Sequence, residues 1–157
     1  MIDSRIGSRA VTLATILAMG IMLFAGPANA SVGTNCATSW STGGLTGNHQ
    51  MACTPRSQSY TAYGLGKAYF STPSQLAALD ISIGLYQSSD GTNYTRVASH
   101  VCDFTSVSSS ASSPNTCSTS TIHMVAGDLY KSRIIVVLYY KTGATPTSTP
   151  SWSLVTA

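Results

Sequence analysis

Downstream of residue 30, apolar and polar positions alternate with a period of two and almost nowhere with the 3.6-residue period of a helix. Leu79, Ile81, Ile83 and Leu85 interleave with Asp80, Ser82, Gly84 and Tyr86, the pattern of a strand with one face in a core. Ser88-Ser89-Asp90-Gly91-Thr92-Asn93 follows, and Asp-Gly is a strong signal for a hairpin turn. Tyr94 to Phe104 then predicts the returning strand, with Val97 and Val101 on one face.

Other segments carry the same period less clearly. Tyr60 to Phe70 predicts a long strand with Tyr63, Leu65, Lys67 and Tyr69 on one face; Gly64 and Gly66 weaken it and suggest a bulge. Residues 118–125 predict a strand with Ile122 and Met124 inward, and Gly127-Asp128 turns the chain into Tyr130 to Lys141. Within that segment Ile134-Ile135-Val136-Val137-Leu138 has no polar break, so a central strand buried on both faces, or nearly so, is expected. Its consecutive β-branched residues argue against a buried helix. Thr142 to Pro150 reads as a loop and Trp152 to Val155 as an edge strand. Ser31 to Pro55, with Gly43-Gly44 and Gly47-Asn48, reads as an irregular lead-in. Only Pro73 to Ala78 offers a turn of helix. The expected fold is all-β, a small antiparallel β-sandwich of about six to seven strands.

The first thirty residues break this pattern. Arg5 and Arg9 precede an apolar run from Ala10 to Ala25; Gly26-Pro27 ends it, and Ala28-Asn29-Ala30 supplies the small residues a signal peptidase reads. The run falls short of the roughly 18–20 apolar residues that span a bilayer, and Gly20 interrupts it. Residues 1–30 are therefore expected to be a cleavable secretion signal. Residues 31–157 form a single secreted β-rich domain in this reading, with no membrane span after cleavage.

Charge narrows the classes of partner. Of eight Lys and Arg and five Asp and Glu, Arg5, Arg9 and Asp3 fall in the signal. Arg56, Lys67, Arg96, Lys131, Arg133 and Lys141 remain against Asp80, Asp90, Asp103 and Asp128, a net charge of +2. No basic stripe emerges, so nucleic acid is not an expected partner. The four cysteines, Cys36, Cys53, Cys102 and Cys117, all follow the signal, and an even count in a small exported chain predicts two disulfides. Three pairings are open. Local pairing, Cys36–Cys53 and Cys102–Cys117, is favoured because each pair brackets a loop-like stretch. Closing a loop of about 15 residues removes about 3 kcal/mol of unfolded-state entropy on the chain-entropy model. The spacing lacks the Cys-x-x-Cys of a zinc site, and no metal or cofactor is expected.

Catalytic material is thin. Glutamate is absent, and Asp90 and Asp128 sit beside glycine in turns, where their side chains favour turn geometry. Asp80 and Asp103 fall on outer strand faces. His100 and His123 lie on strands expected to be neighbours, where they would meet across a sheet, and no Gly-x-Ser-x-Gly elbow accompanies them. Aromatic residues are the better candidates, since tyrosine on a strand face presents a flat apolar surface with a polar tip. Tyr63, Tyr69, Tyr86 and Trp152 are the expected exposed binding set. The leading expectation is a non-enzymatic extracellular interaction domain for a cell-surface polymer or protein. A secreted protease inhibitor presenting Met51-Ala52-Cys53-Thr54-Pro55-Arg56 as a disulfide-held loop is the alternative, and a small secreted hydrolase the third. The Ser-rich stretch between Cys102 and Cys117 reads as too flexible for the inhibitory role.

Overall fold

The alternation around Leu79 proves to be the inner face of the longest strand. A computed structural model describes residues 33–157; the expected signal at 1–30 lies outside the described residues. In it β5 (Leu76–Ser88) buries Leu79, Ile81, Ile83 and Leu85. At the turn, Asp90 Oδ1 accepts the backbone N–H groups of Thr92 and Asn93 at 2.8 Å each, and Gly91 takes a φ of +73°. That left-handed conformation suits glycine, which has no Cβ to clash. β6 (Thr95–Phe104) returns antiparallel to β5.

β9 (Leu129–Tyr140) flanks β5 on its other side and β10 (Ser151–Trp152) lies beyond, so one sheet, here sheet B, has the order β10-β9-β5-β6. β9 is central, as its composition predicts, but only one of its faces is fully buried. Tyr130, Ser132, Ile134, Val136 and Leu138 point into the core, while Lys131, Arg133, Ile135 and Val137 are half-buried on the outer face. β6 is an edge strand, which leaves Val97 and Val101 exposed.

Sheet A differs most from expectation. It comprises β1 (Gly33–Cys36), β2 (Asn48–Arg56), β3 (Thr61–Ala62), β4 (Leu65–Phe70), β7 (Asn115–Ser118) and β8 (Ile122–His123), in the order β7-β4-β2-β3-β8 with β1 also on β2. The supposed irregular lead-in therefore holds the sheet's central strand. The residues of β2 that point inward are Asn48, Gln50, Ala52 and Thr54, all buried, so no apolar alternation announces them. The strand expected over Tyr60 to Phe70 divides into β3 and β4 around Tyr63-Gly64. Gly66 serves close packing rather than a bulge: a Cβ there would stand 3.0 Å from Ile134 Cδ1 and from Ile81 Cγ2. Of residues 118–125 only Ile122–His123 and the end of β7 are strand, although Ile122 and Met124 do pack inward, against Ala62, Leu85 and Tyr130. Pro73–Gln75 forms one 3-10 turn, and Leu76 already belongs to β5.

The two sheets contribute unequally to the core between them. Sheet B supplies Leu79, Ile81, Ile83, Ile134, Val136 and Leu138, whereas sheet A answers mostly with Ala52, Ala68, Gly66 and Cys117. Large side chains on one plate fill the space left by small ones on the other, which is how close packing is reached without voids. Polar contacts close the side nearest the C-terminus. Thr54 Oγ1 lies 2.8 Å from both Ser132 Oγ and Ser153 Oγ, and Gln50 Nε2 donates to Thr149 O and Ser151 Oγ. These bonds satisfy groups that would otherwise be costly to bury.

Both disulfides follow the local pairing. Cys36–Cys53 links directly opposed residues of β1 and β2. Cys102–Cys117 does more than bracket a loop, since it joins β6 of sheet B to β7 of sheet A. The Ser-rich stretch it encloses makes contacts with sheet A and the core. Ser108 N–H donates to Asn115 Oδ1 (2.7 Å), Phe70 N–H to Ser108 O (2.8 Å), and Val107 packs against the core. Among the described residues no helix is long and apolar enough to cross a membrane.

Candidate functional site

Strand register draws the outer face of sheet B as a grid. Ser99 of β6, Gly84 of β5, Arg133 of β9 and Trp152 of β10 stand side by side in one row, and Arg96, Tyr86 and Lys131 form the next. Residues opposite one another on neighbouring strands point to the same side, so this corner gathers three cations and two aromatic rings. A bulge makes the second row possible. Leu85 pairs with Ala98 but Tyr86 pairs with Arg96, leaving Val97 as the extra residue. In an uninterrupted register Val97 would stand opposite Tyr86 and Arg96 would face inward. Bulges commonly re-aim a side chain in this way.

The side chains in this corner touch. Tyr86 and Trp152 meet edge to face with ring centroids 5.0 Å apart. Lys131 Nζ lies 3.7 Å from the Tyr94 ring centroid and 4.4 Å from that of Trp152, and the Arg133 guanidinium lies 5.6 Å from Trp152. Cations over ring faces gain from the ring quadrupole and hold the rings in place. Trp152 remains 39% exposed, so much of the indole is open to solvent. Between the rows lies a shallow notch of about 80 Å³ lined by Ser82, Gly84, Tyr86, Arg96, Ser99 and Arg133, with Ile135 at its edge.

The carboxylates are engaged elsewhere. Asp90 accepts from its own turn and from Ser88 Oγ, and the Asn93 and Thr92 N–H groups hold it well below the ordinary carboxylate range. Asp128 accepts from Gln87 Nε2. Asp80 and Asp103 share the outer face of sheet B but stand opposite one another at its far end, where Tyr139 O–H donates to Asp80 Oδ2 at 2.6 Å and the tyrosine pKa is raised by that bond. One face thus carries cations at one end and carboxylates at the other.

Of the expected binding set, the structure brings Tyr86 and Trp152 together and leaves the other two apart. Tyr69 lies on the opposite sheet, stacked on His49 at 4.4 Å with Trp40 edge-on at 5.0 Å. His49 is tied there by Ser71 Oγ, 2.8 Å from its Nε2. Tyr63 sits half-buried in the break between β3 and β4. His100 and His123, expected to meet, lie on different sheets, β6 in sheet B and β8 in sheet A. The segment Met51 to Arg56 is part of the central strand β2, not a presented loop. Sequence reasoning missed Arg96, Lys131, Arg133 and Tyr94. The alternation of Lys131 and Arg133 was the available signal for two of them, masked by the apolar run that follows.

Fold and face together define a disulfide-stapled all-β sandwich with a cation–aromatic outer surface. Comparison with protein-family models, with curated proteins and with solved structures found no match for this chain.

Proposed function

We propose that this chain is an exported, non-enzymatic interaction domain that binds a cell-surface polymer through the outer face of sheet B. The observation that carries the reading is the contact of Tyr86 and Trp152 with each other, under Lys131 and Arg133, on an outward sheet surface. Rigid aromatic rings bind with little loss of side-chain entropy, and flanking cations add attraction for an anionic chain. Two disulfides fit the oxidising surroundings that the N-terminal signal pattern implies.

The test is sedimentation with insoluble cell-wall polymers, using protein recovered from the medium of cells expressing the full chain. The recovered protein is expected to begin at Ser31. Retention is expected, with a tenfold or greater loss on replacing Tyr86 and Trp152 by alanine and no loss for Tyr63→Ala. Equal retention of the Tyr86→Ala/Trp152→Ala protein and the unaltered protein would overturn the assignment of this face.

A further inference from the structure

We infer that the notch over Gly84 is a subsite for a single oxyanion group, a carboxylate or phosphate carried by the bound polymer; the inference rests on the binding face proposed above and names what that face selects. Two arginines, Arg96 and Arg133, and two serines, Ser82 and Ser99, line the notch. Guanidinium presents paired N–H donors that match the spacing of carboxylate or phosphate oxygens, and it stays charged at every accessible pH. Arg133 Nε is buried and has no hydrogen-bond partner among the described residues.

Space in the notch depends on glycine. A Cβ at Gly84 would stand 2.9 Å from Tyr86 Cε2 and 3.4 Å from Arg96 Cδ, so any larger residue displaces one wall or the other. This glycine has an ordinary strand conformation, so no backbone requirement explains it. Its value lies in the opening between Tyr86 and Arg96. The volume, about 80 Å³, suits one small anionic group and not a sugar ring. The ring therefore rests against Tyr86 and Trp152 while its charged substituent enters the notch.

The position of Arg96 adds to this. Only the extra residue Val97 turns Arg96 to the outer face beside Tyr86. Arg96 thereby lines the same notch as Arg133 from across β5, where an anion would face both. The four carboxylates do not supply it, because Asp80, Asp90 and Asp128 accept from neutral donors and Asp103 stands with Asp80 at the far end of the face.

The experiment is an NMR titration of the ¹⁵N-labelled protein with sodium phosphate, sodium glucuronate and glucose, at constant ionic strength. Saturable shifts are expected at the amides of Gly84, Ser99 and Arg133 and at the arginine Nε–H signals, with either anion and not with glucose. The stronger of the two anions identifies the source as a phosphate-bearing or a uronate-bearing polymer. Arg133→Gln and Arg96→Gln are each expected to weaken anion binding at least tenfold, and Gly84→Ala to do so without a change of charge. Lys141→Gln, which removes an equal charge elsewhere, is expected to leave it unchanged. Shifts spread evenly over Lys67, Lys141 and the notch, or Gly84→Ala and Arg133→Gln proteins that bind as before, would overturn the subsite. Polymer retention that survives with no anion response overturns this inference alone. Retention indifferent to Tyr86 and Trp152 overturns the face and leaves the titration to be read by itself.

Discussion

Asp90 shows how one side chain can fix a turn. Its carboxylate gathers the Asn93 and Thr92 N–H groups first, then the Asn93 amide and the Ser88 hydroxyl, and all of them favour the ionised form. A carboxyl whose pKa is lowered on folding stabilises the fold above its unfolded value, near 4, and that contribution is lost as pH falls below it. The melting temperature is therefore expected to fall on acidification through about pH 4 more steeply for the unaltered protein than for Asp90→Asn. Parallel pH profiles for the two proteins would contradict this role. Tyr139 is the opposite case, a half-buried side chain whose hydroxyl pKa rises because ionisation would break its bond to Asp80. Both residues spend their polarity on neighbours. In the proposed subsite, Arg96 and Arg133 keep theirs for the bound anion.

At the scale of elements, the pairing of a thin sheet with a thick one explains which strands could be read from sequence. β5, β6 and β9 were legible because Leu79, Ile81, Ile83 and Leu85 alternate, Asp90-Gly91 marks a turn and Ile134 to Leu138 is an unbroken apolar run. β2 was not, because Asn48, Gln50 and Thr54 occupy inward positions and find partners in Thr42 O, Ser151 and Ser132 that no local pattern reveals. β4 was legible in outline, yet the purpose of Gly66 appears only when Ile81 and Ile134 are seen against it. Gly66→Val is expected to cost about 1–3 kcal/mol through overpacking, read from denaturant unfolding, although valine is the better strand former. A stabilising or neutral Gly66→Val would mean that the sheets can separate freely at that point.

The molecule as a whole is held along opposite sides by different means. Cys102–Cys117 ties edge strand β6 to β7 of the other sheet, while hydroxyl and amide contacts fasten the C-terminal segment across β2 and β9. Replacing Cys102 and Cys117 by alanine is expected to remove about 3 kcal/mol of stability on the chain-entropy model. Amide exchange should quicken first along Thr95–Phe104. Uniform quickening across both sheets would indicate that the bridge acts on the unfolded chain alone. Two residues of the candidate site, Tyr86 and Trp152, were visible beforehand as aromatics on strand faces. Their cationic neighbours come together only through three strand pairings and a bulge, a long-range product of register that a single segment cannot display. The thin inner face of sheet A finally sets how descendants of this chain can diverge. Ala52, Gly66 and Ala68 have almost no room to vary, whereas the outer positions of β6 and β9, and those of β5 other than Gly84, are not enclosed in this way. Inheritance would preserve an unremarkable row of small residues and let much of the outer surface drift, so kinship would be easiest to trace in the core.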